Sequence, residues 1–189
     1  MNEDVLTTLV EEAQKGNLQS FEKLVEQYHT RIYNIALGIM GNPHDAEDAA
    51  QNAIIKIYKN IGSFRFQSKF STWVYRVTTN VCMDEVRKKK RSKDVHAPEI
   101  SEDDTFFGVD DKTPESHALD KEAVVQLRKA VASLKDDHRD VIVLRDINGF
   151  SYEEIARITK SSVGTVKSRI NRARAALKEI LVSSGYFTG

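Results

Sequence analysis

The sequence predicts an all-α protein: two small helical domains, residues 1–92 and 119–189, joined by a flexible acidic linker over 93–118. Three observations carry that prediction. Apolar residues recur at three- and four-residue spacings through both ends of the chain, the period of one helix face. Strand signals are absent, since no run alternates for long and Asn148-Gly149, the one hairpin-like pair, lies between helical patterns. Charge is also segregated. Residues 1–92 hold 13 basic and 11 acidic side chains, 93–115 hold 2 and 8, and 116–189 hold 13 and 9. A formal net charge of zero therefore conceals two basic lobes and an acidic connector.

In the first lobe, Phe21, Leu24, Val25, Tyr28, Ile32, Ile35, Ala36 and Ile39 mark one or two amphipathic helices over Leu18 to Met40. Gly41-Asn42-Pro43 breaks that pattern. Asp45 to Ile61 forms a second long helix, "GSFRFQSKF" a loop, and Ser71 to about Lys90 a third helix. The connector carries Pro98, Gly108 and Pro114 and no sustained period, as expected of a tether. Phe106 and Phe107 are its bulky apolar pair, either a docking point or a loosely tethered hydrophobic knot. In the second lobe, Leu119 to Leu134, Asp136 to Ile147, Ser151 to Ile158 and Val163 to Val182 read as four helices.

Several functions are excluded at once. No apolar run approaches the roughly 20 residues of a membrane span, and the acid-rich "MNEDVLTTLVEEAQKGN" is not a secretion signal. The lone Cys82 rules out an internal disulfide, fits a reducing cytoplasm, and reads as a buried small hydrophobe. The five histidines show no ligand spacing, and phosphate-loop and dinucleotide fingerprints are missing. The expectation is a cytoplasmic non-enzyme with no catalytic, metal or cofactor site and no small-molecule substrate.

The stretch "KSSVGTVKSRINRARAALK", 160–178, holds six basic residues and no acid. Before it, Ser151 with Glu154 forms a capping box that starts a short helix, whose buried side is Ile155, Ala156 and Ile158. After the turn, Val166, Ile170, Ala173 and Leu177 form an apolar stripe. At about 100° per residue, Gly164, Ser168, Asn171 and Ala175 fall opposite, with Lys167, Arg174 and Lys178 on one flank and Arg169 and Arg172 on the other. A small polar crest between cations suits a helix in a major groove. The alternative is a solvated basic helix on a structural bundle.

"SYEEIARITKSSVGTVKSRINRARAALK", preceded by "LKDDHRDVIVLRDINGF", resembles region four of the extracytoplasmic-function sigma factors, the small promoter-recognition subunits of bacterial RNA polymerase. It departs from the family at the turn, where a Leu-Gly-apolar-Pro run is common and this chain has Thr159-Lys160-Ser161-Ser162. Without glycine, a left-handed residue there costs roughly 1 kcal/mol. The resemblance implies contact with the upstream (−35) promoter element by Ser161, Ser162, Gly164, Thr165, Lys167, Ser168, Arg169 and Arg172.

The first lobe offers an independent check. In "DAEDAAQNAIIKIYKNI", Ala46, Ala50, Ala53, Ile57 and Ile61 share the buried side, while Asp45, Asp48 and Asn52 project from the far side, with Gln51 and Ile55 beside them. A branched aliphatic on a wet face marks a partner contact. Helix-dipole complementarity would suffice for Asp45 but leaves Ile55 unexplained. The D-x-x-D-x-x-Q spacing resembles the region-two segment that grips the clamp helices of the core polymerase, which implies polymerase contact by Asp45, Asp48, Gln51, Asn52 and Ile55. Further on, Phe64, Arg65, Phe66, Lys69 and Phe70 interleave in a loop, and Trp73, Arg76, Val77, Asn80, Asp84 and Arg87 share one face of the third helix. Aromatics that stack bases beside cations that follow phosphates are what single-stranded recognition requires, and an Asn can read the edge of a flipped base. Phe64, Arg65, Lys69, Trp73, Arg76, Asn80 and Arg87 are the candidate contacts to the melted (−10) element, although Phe70 and Trp73 also suit a core. "RKKKR" at 87–91 fits a duplex-phosphate contact.

The implied partners are core RNA polymerase (clamp helices and flap), promoter DNA, and an anti-sigma factor, often membrane-anchored in the family. The family's acidic linker passes through the polymerase. Here about 27 residues reach roughly 30 Å as a coil and at most about 90 Å extended, against roughly 35–70 Å between duplex contacts one or two turns apart. The rival reading is a stand-alone dimeric helix-turn-helix regulator. It accounts for the second lobe but leaves Ile55 and the aromatic loop unused.

Overall fold

The computed structural model of the chain describes residues 2–92 and 114–185, with side chains placed for 2–89 and 123–185. Residues 93–113, with Phe106 and Phe107, and the side chains of Lys90 and Arg91 lie outside the described residues. Four helices form the first lobe: α1 (Glu3–Gln14), α2 (Leu18–Met40), α3 (Pro43–Asn60) and α4 (Phe70–Ser92), with a 3₁₀ turn over Ile61–Ser63. The second lobe comprises α5 (Pro114–Ser133), α6 (Asp136–Ile142) continuing into a π-helical turn (Val143–Ile147), α7 (Tyr152–Thr159) and α8 (Val163–Ser183).

Local chemistry sets most boundaries. Asn17 caps α2 by accepting from the Ser20 amide, and Gly41 ends it in the left-handed region at φ 83°. Asn42 caps α3 with Pro43 just inside, where its missing N–H costs nothing. Ser151 and Glu154 make the expected capping box, and the Ser162 side chain accepts from the Thr165 amide to start α8. Three elements differ from expectation. Helix α1 is an element not predicted above, although Leu6, Leu9, Val10 and Ala13 repeat on one face and Asn2 caps it. Helix α5 starts at Pro114, inside the stretch expected to be linker, because proline at a first helical position followed by Glu115 favours initiation. The predicted helix to Ile147 widens at its end, where both the Asn148 amide and its side-chain Nδ2 donate to the Val143 carbonyl.

The lobes do not stand apart. Gly38 of α2 meets Val143 so closely that an added Cβ would lie 2.7 Å from Val143 Cγ1. Tyr75 of α4 packs on Phe150 at 5.1 Å between ring centroids. Arg31 lies 4.9 Å above the Phe150 ring and donates to the Asn148 carbonyl. Arg139, 4% exposed, donates to the carbonyls of Val131, Ala132 and Leu134, and also to that of Ile39 across the seam. One continuous apolar core results. Cys82 is buried within it as expected, and that burial pushes its thiol up to about 12.

Candidate nucleic-acid interface

On α8, Val166, Ile170 and Ala173 face the core, with Leu177 packed at its margin. Gly164, Lys167, Asn171, Arg172 and Ala175 are exposed opposite. Among the described residues, no ion-pair partner holds Lys167 or Arg172, which leaves both cations available to phosphates. Ser162, Thr165 and Ser168 are hydrogen-bonded into the helix start. Ser162 Oγ and Thr165 Oγ1 lie 2.8 Å apart, and Ser168 Oγ donates to the Thr165 carbonyl at 2.9 Å. Ser161 is half-buried with its hydroxyl 2.7 Å from that of Thr159. Lys160 supplies the left-handed residue of the turn, at φ 51°.

Two cations differ from their expected flank positions. Arg169 is half-buried and turns toward α6, its Nε 3.7 Å from Asp137. Arg174 is held by both oxygens of Asp146, with Nε to Oδ2 at 3.1 Å. A helical wheel could not register either, because both acids belong to α6 and its π-helical end, on the far side of α7 in sequence.

In the first lobe, α3 presents Asp48, Gln51, Asn52 and Ile55 to solvent, with Ile55 47% exposed. Asp45 is half-buried instead. It accepts from Asn42 Nδ2 at 2.7 Å and pairs with Lys89 of α4. Burial opposes its ionisation, but the Lys89 and Asn42 hydrogen bonds outweigh that and hold its carboxyl below the usual range. Asp45 thus serves the helix start and the α3–α4 packing, and it lines one shallow pocket with Asp48, Gln51 and Asn52.

The aromatic loop sorts itself into inside and outside. Phe64, 4% exposed, lies 5.3 Å from Phe70 and 5.6 Å from Trp73, which is 6% exposed. Phe64 and Trp73 are therefore core residues, and neither can stack on a base without unpacking the lobe. The residue that can is Phe66, 46% exposed at φ 56°, its ring 4.9 Å from that of Phe64. Arg65 and Lys69 flank it in solvent, with Arg65 Nη1 donating to the Gly62 carbonyl at 3.2 Å. On α4, Asn80 and Arg87 are exposed and Arg76 is half-buried. Arg87 is paired at 3.3 Å with Asp84.

Asn80 and Arg87 look into an open cleft of about 500 Å³ between the lobes, whose other wall carries Asp136, Asp137, Asp140 and Arg169. Burial pushes the Asp140 carboxyl up to about 7, against the opposing pull of Arg139. Two buried oxygens here, Asp140 Oδ1 and Thr79 Oγ1, have no hydrogen-bond partner among the described residues. Among those residues no group of carboxylates, histidines and cysteine is disposed to hold a metal, and no helix is long and apolar enough to cross a membrane.

Comparison with known proteins adds an independent line. Residues 24–92 match the family model for Sigma-70 region 2, and residues 125–177 that for Sigma-70 region 4. The chain is 38% identical to the ECF RNA polymerase sigma factor SigW of Bacillus subtilis, over 91% of this chain and 94% of that protein. It is 36% identical to the ECF RNA polymerase sigma-E factor of Escherichia coli K12, over 89% and 90%. Among solved structures it is similar to CnrH in complex with the cytosolic domain of CnrY, with a TM-score of 0.68 and 25% identity, over 95% of this chain and 99% of that one. It is similar to the same degree, over 86% and 97%, to the sigma factor RpoE in complex with the anti-sigma factor NepR from Bartonella quintana.

Proposed function

Because the chain belongs to the extracytoplasmic-function RNA polymerase sigma factors and is a promoter-recognising member of them, we propose that its two lobes grip one promoter at two places. In this reading α8 enters the upstream (−35) element, with Gly164, Thr165, Lys167, Ser168, Asn171 and Arg172 toward the groove. The 64–69 loop and Asn80 take a base from the melted (−10) element, with Phe66 as the stacking ring and Arg65, Lys69, Arg76 and Arg87 along the backbone. Asp48, Gln51, Asn52 and Ile55 of α3 meet the clamp helices of the core polymerase. The observation that carries this reading is the pairing of an unburied basic helix on one lobe with a solvent-presented aromatic among cations on the other. A free-standing duplex binder needs only the first.

Asn80 and Arg87 face Asp136, Asp137 and Asp140 across the cleft, so DNA reaches them only after the lobes part. Polymerase binding supplies the energy. The family are not enzymes, and the reading assigns this chain no catalysis and places it in the cytoplasm. Its remaining partner is an anti-sigma protein, membrane-anchored in many family members. Related sigma factors have been solved with CnrY and with the anti-sigma factor NepR.

The test is run-off transcription by purified core polymerase with and without the chain across a genomic library. Promoter-dependent transcripts are expected with the chain alone. Tight binding to bare duplex without polymerase, and no transcripts, would favour the dimeric regulator. Arg172→Ala should weaken promoter binding and lower the salt slope by about one phosphate contact.

A further inference from the structure

The loop that presents Phe66 is an awkward piece of backbone. Between the 3₁₀ turn and α4 it has no helical or sheet ladder to hold it, and Phe66 sits in the left-handed region that L side chains rarely adopt. Strain of that kind persists only where neighbours over-determine it. The neighbour here is Gln14, the last residue of α1. Its Nε2 donates to the carbonyl of Ile61 at 3.0 Å and to that of Phe64 at 2.9 Å. These carbonyls bracket the turn, and the second lies two residues before Phe66. A primary amide has two donor hydrogens, and each is used on one side of the bend. The Phe64 amide closes the same turn by donating to the Ile61 carbonyl at 3.0 Å.

Helix α1 does more than carry that one side chain. Leu6, Thr7 and Val10 form one wall of an open cleft of about 530 Å³ whose opposite wall is Phe66, Ser68 and Lys69. The volume falls in the range of small-molecule sites, roughly 300–1,000 Å³, and Glu3, Phe64 and Phe70 also line it. Gln14 and the rest of α1 precede the stretch that matches region 2, which begins at residue 24.

We propose that Gln14 is a positioning residue for base capture: by holding the Ile61 and Phe64 carbonyls it fixes the loop in the one conformation that offers Phe66 to an unpaired base. Helix α1 is then part of the promoter-opening apparatus. This rests on the reading of the 64–69 loop as the base trap.

Holoenzyme assembled with the wild-type chain, Gln14→Ala, Gln14→Glu or Gln14→Lys tests the idea. The readout is 2-aminopurine fluorescence at the captured position of a promoter found by the run-off screen. Gln14→Ala should slow open-complex formation about tenfold, the loss of roughly one to two net hydrogen bonds. It should also relax discrimination among bases at that position, while polymerase affinity stays near wild type and Tm falls by no more than a few degrees. Glu cannot donate to either carbonyl and should do no better than Ala, whereas Lys, with donors on a similar reach, should recover part of the rate. Unchanged opening and unchanged base preference in Gln14→Ala would overturn the proposal. So would a loss of opening that comes with lost polymerase affinity and a lowered Tm, since that marks a purely structural brace. A wild-type holoenzyme that opens promoters without burying a base at this loop would instead sink the base-trap reading itself.

Discussion

Each lobe of this protein carries one non-glycine residue in the left-handed region among those described, Phe66 in the first and Lys160 in the second, and each lies in the turn that leads to a proposed DNA contact. The two turns are held by different means. Around Lys160 the supports are local. Thr159 bonds to Ile155 and Ser161, Ser162 caps α8, and the Ser151–Glu154 box fixes α7 a few residues upstream. Around Phe66 they include residues far along the chain: Gln14 at one end, and Tyr28 packed on Phe70 of the Phe64–Phe70–Trp73 cluster beneath. A helix in a major groove needs only a correctly set angle, which short-range bonds can provide. A loop that stacks on a base needs a rigid floor, and only tertiary packing supplies one.

The comparison can be broken at several strengths. The largest effect belongs to the residue that joins the lobes. Arg139→Met removes the donor from four carbonyls and should cost about 3–5 kcal/mol, read as a lower urea midpoint. Phe64→Ala should cost about 3–4 kcal/mol by leaving a cavity under the loop. Its neighbour Phe66→Ala should change stability by less than about 0.5 kcal/mol while abolishing base stacking, measured by unfolding and by 2-aminopurine fluorescence. Equal stability losses in the two would erase the distinction between floor and platform.

The seam between the lobes should respond to pH. The buried Asp140 carboxyl holds its proton to about 7, against an ordinary 3.8 when exposed, with Arg139, Asp136 and Asp137 on its own helix and Arg87 facing it from α4. The folded form therefore binds a proton that the unfolded form has released. Stability falls as pH rises from about 4 to about 7, and no further above that. Asp140→Asn should flatten this decline, and the difference between the two urea-midpoint profiles isolates it from other carboxylates. The last effect is local: Lys160→Gly should raise stability by about 1 kcal/mol without altering promoter choice.

Local rules made most of the second lobe legible. The capping box, the α7–turn–α8 spacing and the Val166–Ile170–Ala173 stripe all follow from short-range chemistry. The first lobe was legible in its long helices and in the wet face of Ile55, and less so in its loop. Which of Phe64 and Phe66 turns inward depends on Phe70 and Trp73 packing and on a backbone angle that propensity does not favour. Helix α1 had a readable apolar face, but its many acids and short length masked it. Arg139 was invisible for a different reason. A basic residue in "DDHRD" reads as solvated surface until the carbonyl ends of α5 and α2 are seen to converge on it.

Gly38 carries a consequence for how such a protein can evolve. An added Cβ would meet both methyls of Val143, at 2.7 and 3.0 Å, so replacement by alanine acts as a wedge driven between the halves. Glycine and alanine codons differ by one nucleotide. How readily the closed form springs apart is thus one mutational step from change, at a residue outside every proposed contact with DNA or polymerase.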